Sequence, residues 1–353
     1  MRFLHRSICL LLVSVFAMAA TPDDRISLHL DTSEAEAVLV ILQKQHSGAA
    51  VTDADWQRLF NTEPYTRLKK REAAMQRAFS DDDFKKFVLS PELLARQGEL
   101  RRTLTLWSKA NLEKGAQRVL AYLPTDARIR AKVYPTIKPR TNSFVFETDT
   151  DPAIFLYLDP AVTPQQFENT VAHELHHVGF SSLKSAELPA ELPQRVKDAL
   201  GWMSAFGEGF AMLAAAGSPD VHPHAVSKPE DRAHWDRDMA NFNQDLRTLE
   251  KFFLQIMNGG FPSKEEEQKT AYSFFGTQGP WYTVGYKMAV TIERHDGRAA
   301  LIDAMRDPQK LLVLYNRAAI DHNRNAQDQD KLVLWSPALL EKIGAPDAAK
   351  HPG

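Results

Sequence analysis

Read for the spacing of its apolar positions, the chain changes character twice. Arg25-Ile26-Ser27-Leu28-His29-Leu30 alternates apolar and polar residues, which predicts a short strand. Ser33-Glu34-Ala35-Glu36 reads as a capping box opening a helix through Leu42. From there to about Leu120 apolar residues recur at helical spacing: around Trp56 and Leu59, from Leu68 to Ala78, from Phe84 to Leu89 and from Leu93 to Leu112. Pro64 and Pro91 punctuate them. Near Pro124 the pattern changes. Arg128 to Ile137, Ser143 to Glu147 and Ala153 to Leu158 are rich in β-branched and aromatic residues and are separated by Pro, Asn and Asp, so they predict three strands. Helical spacing then returns through Val196 to Ala216, Trp235 to Met257, Tyr282 to Arg294, Ala299 to Met305 and Gln309 to Ala319, with a turn at Asn258-Gly259-Gly260-Phe261-Pro262. The expected class is α+β, mainly helical, with a small sheet ahead of a helix that starts near Thr163.

That helix carries the most informative residues. Thr163-Pro164-Gln165-Gln166 supplies an N-cap threonine, a first-turn proline and a capping-box glutamine. At about 100° per residue, Phe167, Val171, Leu175 and Val178 form one stripe, while His173 and His177 point to nearly the opposite side. The stripe is expected to pack inward, the histidines to face a cleft, and Gly179 to cap the C-terminus. Within it, Ala172-His173-Glu174-Leu175-His176-His177 contains His-Glu-x-x-His. Two imidazoles four residues apart leave one face and can close on a single Zn²⁺, and Glu174 stands beside the metal, where a base takes a proton from the attacking water. The bland alternative is two histidines satisfied by ordinary hydrogen bonds on a surface helix. His176 falls to one side of the pair, as a supporting or surface residue.

Two histidines do not complete a zinc site. A metzincin needs Gly at position 180 and His at 183, where Phe180 and Leu183 stand, and a cysteine ligand is unavailable beyond Cys9. The remaining common solution is a glutamate on a second helix. Glu208 is the only charge in the apolar run Trp202 to Ala214, and a buried carboxylate is costly without a partner such as a metal ion. Gly207 and Gly209 on either side are expected to let this helix approach the His173 helix. A half-exposed glutamate, or one paired with arginine, is the plain alternative. Glu187 and Glu191 are weaker candidates because Pro189 and Pro193 put them in a loop, and His222 and His224 form a further His-x-His pair. A donor to the developing oxyanion is also expected, and Trp281-Tyr282-Thr283-Val284-Gly285-Tyr286 offers two phenols at a helix start.

Composition narrows the rest. The 353 residues hold 43 Lys and Arg against 45 Asp and Glu, a formal net charge of -2, with 44% hydrophobic residues. This balance suggests neither nucleic acid nor an anionic membrane surface as a partner. The runs Lys69-Lys70-Arg71 and Asp81-Asp82-Asp83 read as solvated helix faces and a helix start. Arg2, His5 and Arg6, the apolar stretch Ile8 to Phe16, and Ala17-Met18-Ala19 predict a signal peptide over residues 1–19, hence export to the periplasm or medium. Its removal would take away the single cysteine, and no later stretch is long enough to span a membrane. The expected organisation is an N-terminal helical region over 20–127 continuous with a catalytic region over 128–353, with a loose tail from Ala345.

His173-Glu174-x-x-His177, Glu208-Gly209-Phe210-Ala211 and Tyr282-x-x-Gly285 occur in the order seen in gluzincin metallopeptidases, and the chain resembles their aminopeptidase branch with its E-G-x-A and Y-x-x-G elements. The layout is also similar to a secreted bacterial family of zinc-dependent peptidases catalogued as a domain of unknown function. The resemblance covers chiefly residues 133–300. It implies a zincin-like fold, one Zn²⁺ per chain on His173, His177 and Glu208, Glu174 as general base, Tyr282 as the oxyanion donor with Tyr286 as runner-up, and a peptide or protein substrate. The interval from His177 to Glu208 is longer than in the aminopeptidases, and their G-x-M-E-N element is absent. Ala153-Ile154-Phe155-Leu156-Tyr157 stands in its place; as an edge strand it would hold an extended peptide by strand addition, favouring endopeptidase over aminopeptidase action, and the plain alternative is a strand that only fills the sheet. The rival is a non-catalytic module in which zinc pins two helices of a cell-envelope scaffold.

Overall fold

Four strands form one mixed sheet. They are β1 (Ile26–Leu30), β2 (Ile129–Thr136), β3 (Phe144–Phe146) and β4 (Ala153–Tyr157), in the order β1-β2-β4-β3. β1 runs parallel to β2 from Ile26 opposite Ile129 to Leu30 opposite Val133, and β2 runs parallel to β4 from Lys132 opposite Ala153 to Thr136 opposite Tyr157. β3 is antiparallel to β4, with Val145 opposite Ile154. In this computed structural model the described residues are 23–183, 188 and 190–345. The expected signal peptide and Glu187 lie outside them.

The sheet order corrects one expectation. Ala153–Tyr157 is not an edge strand, since it pairs with β2 on one side and β3 on the other. Its near-continuous burial is that of a strand covered on both faces. β1 and β3 are the sheet's ends.

Seven helices separate β1 from β2: α1 (Ser33–Ser47), α2 (Asp53–Phe60), α3 (Glu63–Ala74), α4 (Asp81–Val88), α5 (Pro91–Ala95), α6 (Gln97–Trp107) and α7 (Leu112–Leu120). The start of α1 differs from the capping box read at Ser33. Thr32 is the N-cap, and Glu34, which that box left free, is fully buried and accepts a hydrogen bond from Ile137 N at 3.0 Å. The stretch Leu93 to Leu112 is divided among α5, α6 and the first residue of α7, with breaks that apolar spacing does not register.

After β4 come α8 (Pro164–Ser181), α9 (Gln194–Met203), α10 (Gly207–Ala216), α11 (Pro229–Ala240), α12 (Phe242–Met257), α13 (Lys264–Ser273), α14 (Pro280–Asp296), α15 (Arg298–Ala304), α16 (Pro308–Asn325) and α17 (Pro337–Lys342). The run Val196 to Ala216 is split by a 3-10 turn at Ser204–Phe206, and Trp235 to Met257 is broken at Asn241. Gly179 is not a C-cap. α8 continues past it to Ser181, and a Cβ there would lie 2.3 Å from Leu123 Cδ1, so the glycine marks where the helix packs against Leu123 and a larger residue would require that side chain to move.

One contiguous apolar core runs from Ala35 on α1 to Ile343 after α17, joining the helices on both sides of the sheet. α8 lies inside it. Trp107 of α6 stacks on Phe167 with ring centroids 4.3 Å apart, and Gly115 of α7 brings that helix against Ala172. The expected stripe Phe167, Val171, Leu175 and Val178 is fully buried, leaving the opposite face of α8 for chemistry.

Candidate metal centre

The local fold of α8 follows from its first turn. Thr163 Oγ1 accepts from Gln166 N at 3.2 Å and Gln166 Oε1 accepts from Thr163 N at 2.8 Å, so two backbone donors are satisfied at the helix start. Three turns on, His173 and His177 leave the face opposite the buried stripe, their ring centroids 4.9 Å apart.

α10 brings Glu208 to both. Glu208 Oε2 lies 3.2 Å from His173 Nε2 and 3.3 Å from His177 Nε2, and the two Nε2 atoms are 3.2 Å apart. A tetrahedral Zn²⁺ with bonds of about 2.0–2.1 Å requires donor atoms about 3.3 Å apart, so this near-equilateral triangle has the size of one face of such a site. Hydrogen bonds alone do not account for it. If both Nε2 atoms carry protons toward the carboxylate, two N–H groups are forced together, and if one lacks its proton, that nitrogen meets the carboxylate lone pair to lone pair. A divalent cation satisfies all three donors at once. Burial works against the Glu208 charge, but the two imidazoles outweigh it and hold the carboxyl far below the usual carboxylate range. Burial likewise opposes a proton on His177, and Glu208 reverses that, raising its pKa.

α10 packs closely on α8, as expected, but its glycines are not what makes that contact. A Cβ at Gly209 would sit 2.0 Å from Tyr286 N and 2.3 Å from Gly285 C, so Gly209 lets α10 press on the backbone of α14, not on α8. A Cβ at Gly285 would in turn lie 2.5 Å from Phe206 O, whereas one at Gly207 would meet nothing within 4 Å.

This crossing sorts the two phenols. The Tyr282 ring lies over His173 at 6.2 Å and 17°, and its hydroxyl pKa is pushed well up by burial first and then by Glu208 and Glu174. Tyr286 packs edge-on against Trp235 at 5.3 Å. Burial raises it to about 12, and the charges acting on it are Arg294, Asp220 and Glu293. Glu174 is half-buried, and its charge acts on both His177 and Tyr282.

Residues 56–324 match the family described as "Putative zinc dependent peptidase (DUF5700)". The chain belongs to this family. No curated protein and no solved structure matches it. Zinc dependence in the family's description agrees with the donor triangle, and a peptidase takes a peptide or protein as substrate.

The other candidates stand apart. Among the described residues His173, His177 and Glu208 form the one cluster with metal-ligand spacing. His222 Nε2 pairs with Asp236 of α11 at 2.9 Å and His224 Nδ1 with Ser227 at 2.9 Å, so this pair is engaged locally, away from the triangle. Glu191 is exposed. His176 is not a surface residue: it is buried, stacks on Phe180, and neither ring nitrogen has a hydrogen-bond partner among the described residues.

Beside the metal ligands opens a cleft of about 1000 Å³ whose walls include His177, Glu208, Trp202, Tyr272 and Asp149. The last three were not singled out from sequence. They come from α9, α13 and the turn between β3 and β4, and no short motif links segments so far apart.

Proposed function

We propose that this protein is an exported zinc-dependent metallopeptidase of zincin type, acting within peptide chains in the periplasm or medium. The observation that carries the reading is the donor triangle of His173, His177 and Glu208, with Glu174 left outside it and its charge felt by His177 and Tyr282. One Zn²⁺ on these three donors would polarise the scissile carbonyl and acidify the attacking water. Glu174 accepts the proton of that water and returns it to the leaving amine. Tyr282, a phenol protonated at neutral pH and made a still weaker acid by burial, donates to the oxyanion.

Endopeptidase action is favoured because the G-x-M-E-N element is absent and a sheet edge lies nearby. With β4 paired on both sides, an extended substrate would add to β3, whose following turn carries Asp149 into the cleft. A structural zinc site takes four protein ligands, while the cluster among the described residues has three, which speaks for catalysis over a scaffold role.

The test combines metal analysis of the purified protein with hydrolysis of casein and a peptide library, with and without chelator. Stoichiometric zinc, chelator-sensitive cleavage, and loss of cleavage with retention of zinc in Glu174→Gln are expected. Zinc retained with no turnover on any substrate supports the scaffold. Zinc lost in His177→Ala but kept in Glu208→Ala moves the third ligand elsewhere.

A further inference from the structure

The cleft beside the metal ligands has a mixed lining in which a set of apolar and aromatic side chains stands among charged ones. His177 and Glu208 contribute to it from the metal centre, Phe180, Leu200, Trp202, Tyr272, Phe275 and Met305 supply its apolar surface, and Lys197, Arg306 and Asp149 add charge. Its volume of about 1000 Å³ is that of a small-ligand site, far more than a peptide backbone needs.

Two features make the wall a preformed receptor. The Trp202 indole is pinned: its Nε1 donates to Glu267 Oε1 at 3.0 Å, and its ring meets Phe252 edge-on at 6.4 Å. Glu267, itself buried, is neutralised by Lys264, which also bonds Asp198 at 2.7 Å, so this clasp ties α13 to α9 without leaving those three charges unpaired. Tyr272 stands edge-on to Trp202 at 5.8 Å and is 62% exposed, an unusual exposure for a large aromatic ring. Two aromatic rings on an open cavity, one of them with its polar tip already satisfied, are the chemistry of a pocket for a bulky apolar side chain.

We infer that this cleft is the specificity pocket of the enzyme and selects peptides with a large apolar or aromatic side chain next to the scissile bond. The inference rests on the proposed peptidase reading and adds the substrate class to it. Trp202 and Tyr272 are its selecting residues, and burying a phenylalanine ring there favours it over alanine by about 10- to 100-fold.

Gly201 gives a direct test, because it lines the cleft and a Cβ at that position meets nothing within 4 Å. Gly201→Phe therefore fills the pocket from within α9 without a backbone clash, and helix propensity favours the change. The probes are acetyl-Ala-Ala-Phe-Ala-Ala-amide and its all-alanine counterpart. Their hydrolysis is followed with the zinc-loaded protein and their binding by calorimetry with Glu174→Gln. The expected result is a 10- to 100-fold preference for the phenylalanine peptide in both assays, reduced to about 2-fold by Gly201→Phe and several-fold by Tyr272→Ala, with zinc content and melting temperature unchanged. Cleavage of both peptides at equal rates, or equal binding, overturns the pocket and leaves the peptidase standing. Preferential binding that Gly201→Phe abolishes, with no hydrolysis, upholds the pocket and overturns the peptidase. No measurable binding of the phenylalanine peptide overturns the pocket.

Discussion

Replacing Gly209 with alanine tests whether the contact between α10 and α14 sets the metal centre. The new Cβ would fall 2.0 Å from Tyr286 N, 2.3 Å from Gly285 C and 2.6 Å from Gly285 Cα, all backbone atoms that no rotamer change can move. Ordinary contact begins at 3.4 Å, so the helices must part by more than about 1 Å. Overpacking of this kind costs about 1–3 kcal/mol, which lowers the melting temperature by several degrees. α10 carries Glu208 and α14 carries Tyr282, so the same displacement pulls a donor from the triangle and a phenol from His173. A misplacement near 1 Å costs about 100-fold in turnover, and zinc affinity should fall with it. Gly207→Ala is the control, two residues away on the same helix with nothing within 4 Å of its Cβ. Calorimetry and chelator competition for zinc read both variants side by side. If Gly209→Ala matches Gly207→Ala in melting temperature and zinc affinity, the crossing described above is wrong.

Other changes separate the remaining roles. Tyr282→Phe should lower kcat about 100-fold with zinc content unchanged while Tyr286→Phe stays within about 2-fold, and the reverse ranking in a peptide assay would reassign the donor. Glu34 has its pKa raised by burial from 4.5 to about 8, so between those values the folded chain keeps a proton the unfolded chain has lost. Stability therefore falls as pH rises through that window, by about 1.4 kcal/mol per unit at most. Glu34→Gln, which keeps the acceptor for Ile137 N, should remove this slope in urea denaturation at pH 5, 7 and 9. The opposite slope from Lys138, lowered by burial to about 8, should remain at higher pH, and identical pH profiles for the two proteins would contradict the assignment. Trp107→Ala, by emptying the stack on Phe167, should cost about 3–5 kcal/mol in the same measurement while zinc content at low temperature is kept; a loss under 1 kcal/mol would mean that the stack is not what holds α6 to α8.

What was legible in the sequence was local. The start of α8 was readable because Thr163, Pro164 and Gln166 act within one turn, and the histidine face because residues four apart share a side of a helix. Glu208 was readable as a lone charge in an apolar helix, and the structure brings it to both imidazoles. What failed depended on partners distant in the chain. Gly209 announces a close approach but not to which helix, and Gly179 looks like a cap until Leu123 is seen against it. The role of Glu34 was invisible because its partner, Ile137, lies a hundred residues on. α13 was missed because Lys264-Glu265-Glu266-Glu267 shows no apolar period, and its start rests on Ser263 Oγ accepting from Glu266 N.

The spacing of the three donor atoms comes from helix crossings locked by glycine and by the surrounding core, so the cation is a guest of the architecture and not its keystone. Chelation is therefore expected to be a reversible emptying: the apoprotein stays folded, and added zinc restores it at once, without a refolding delay.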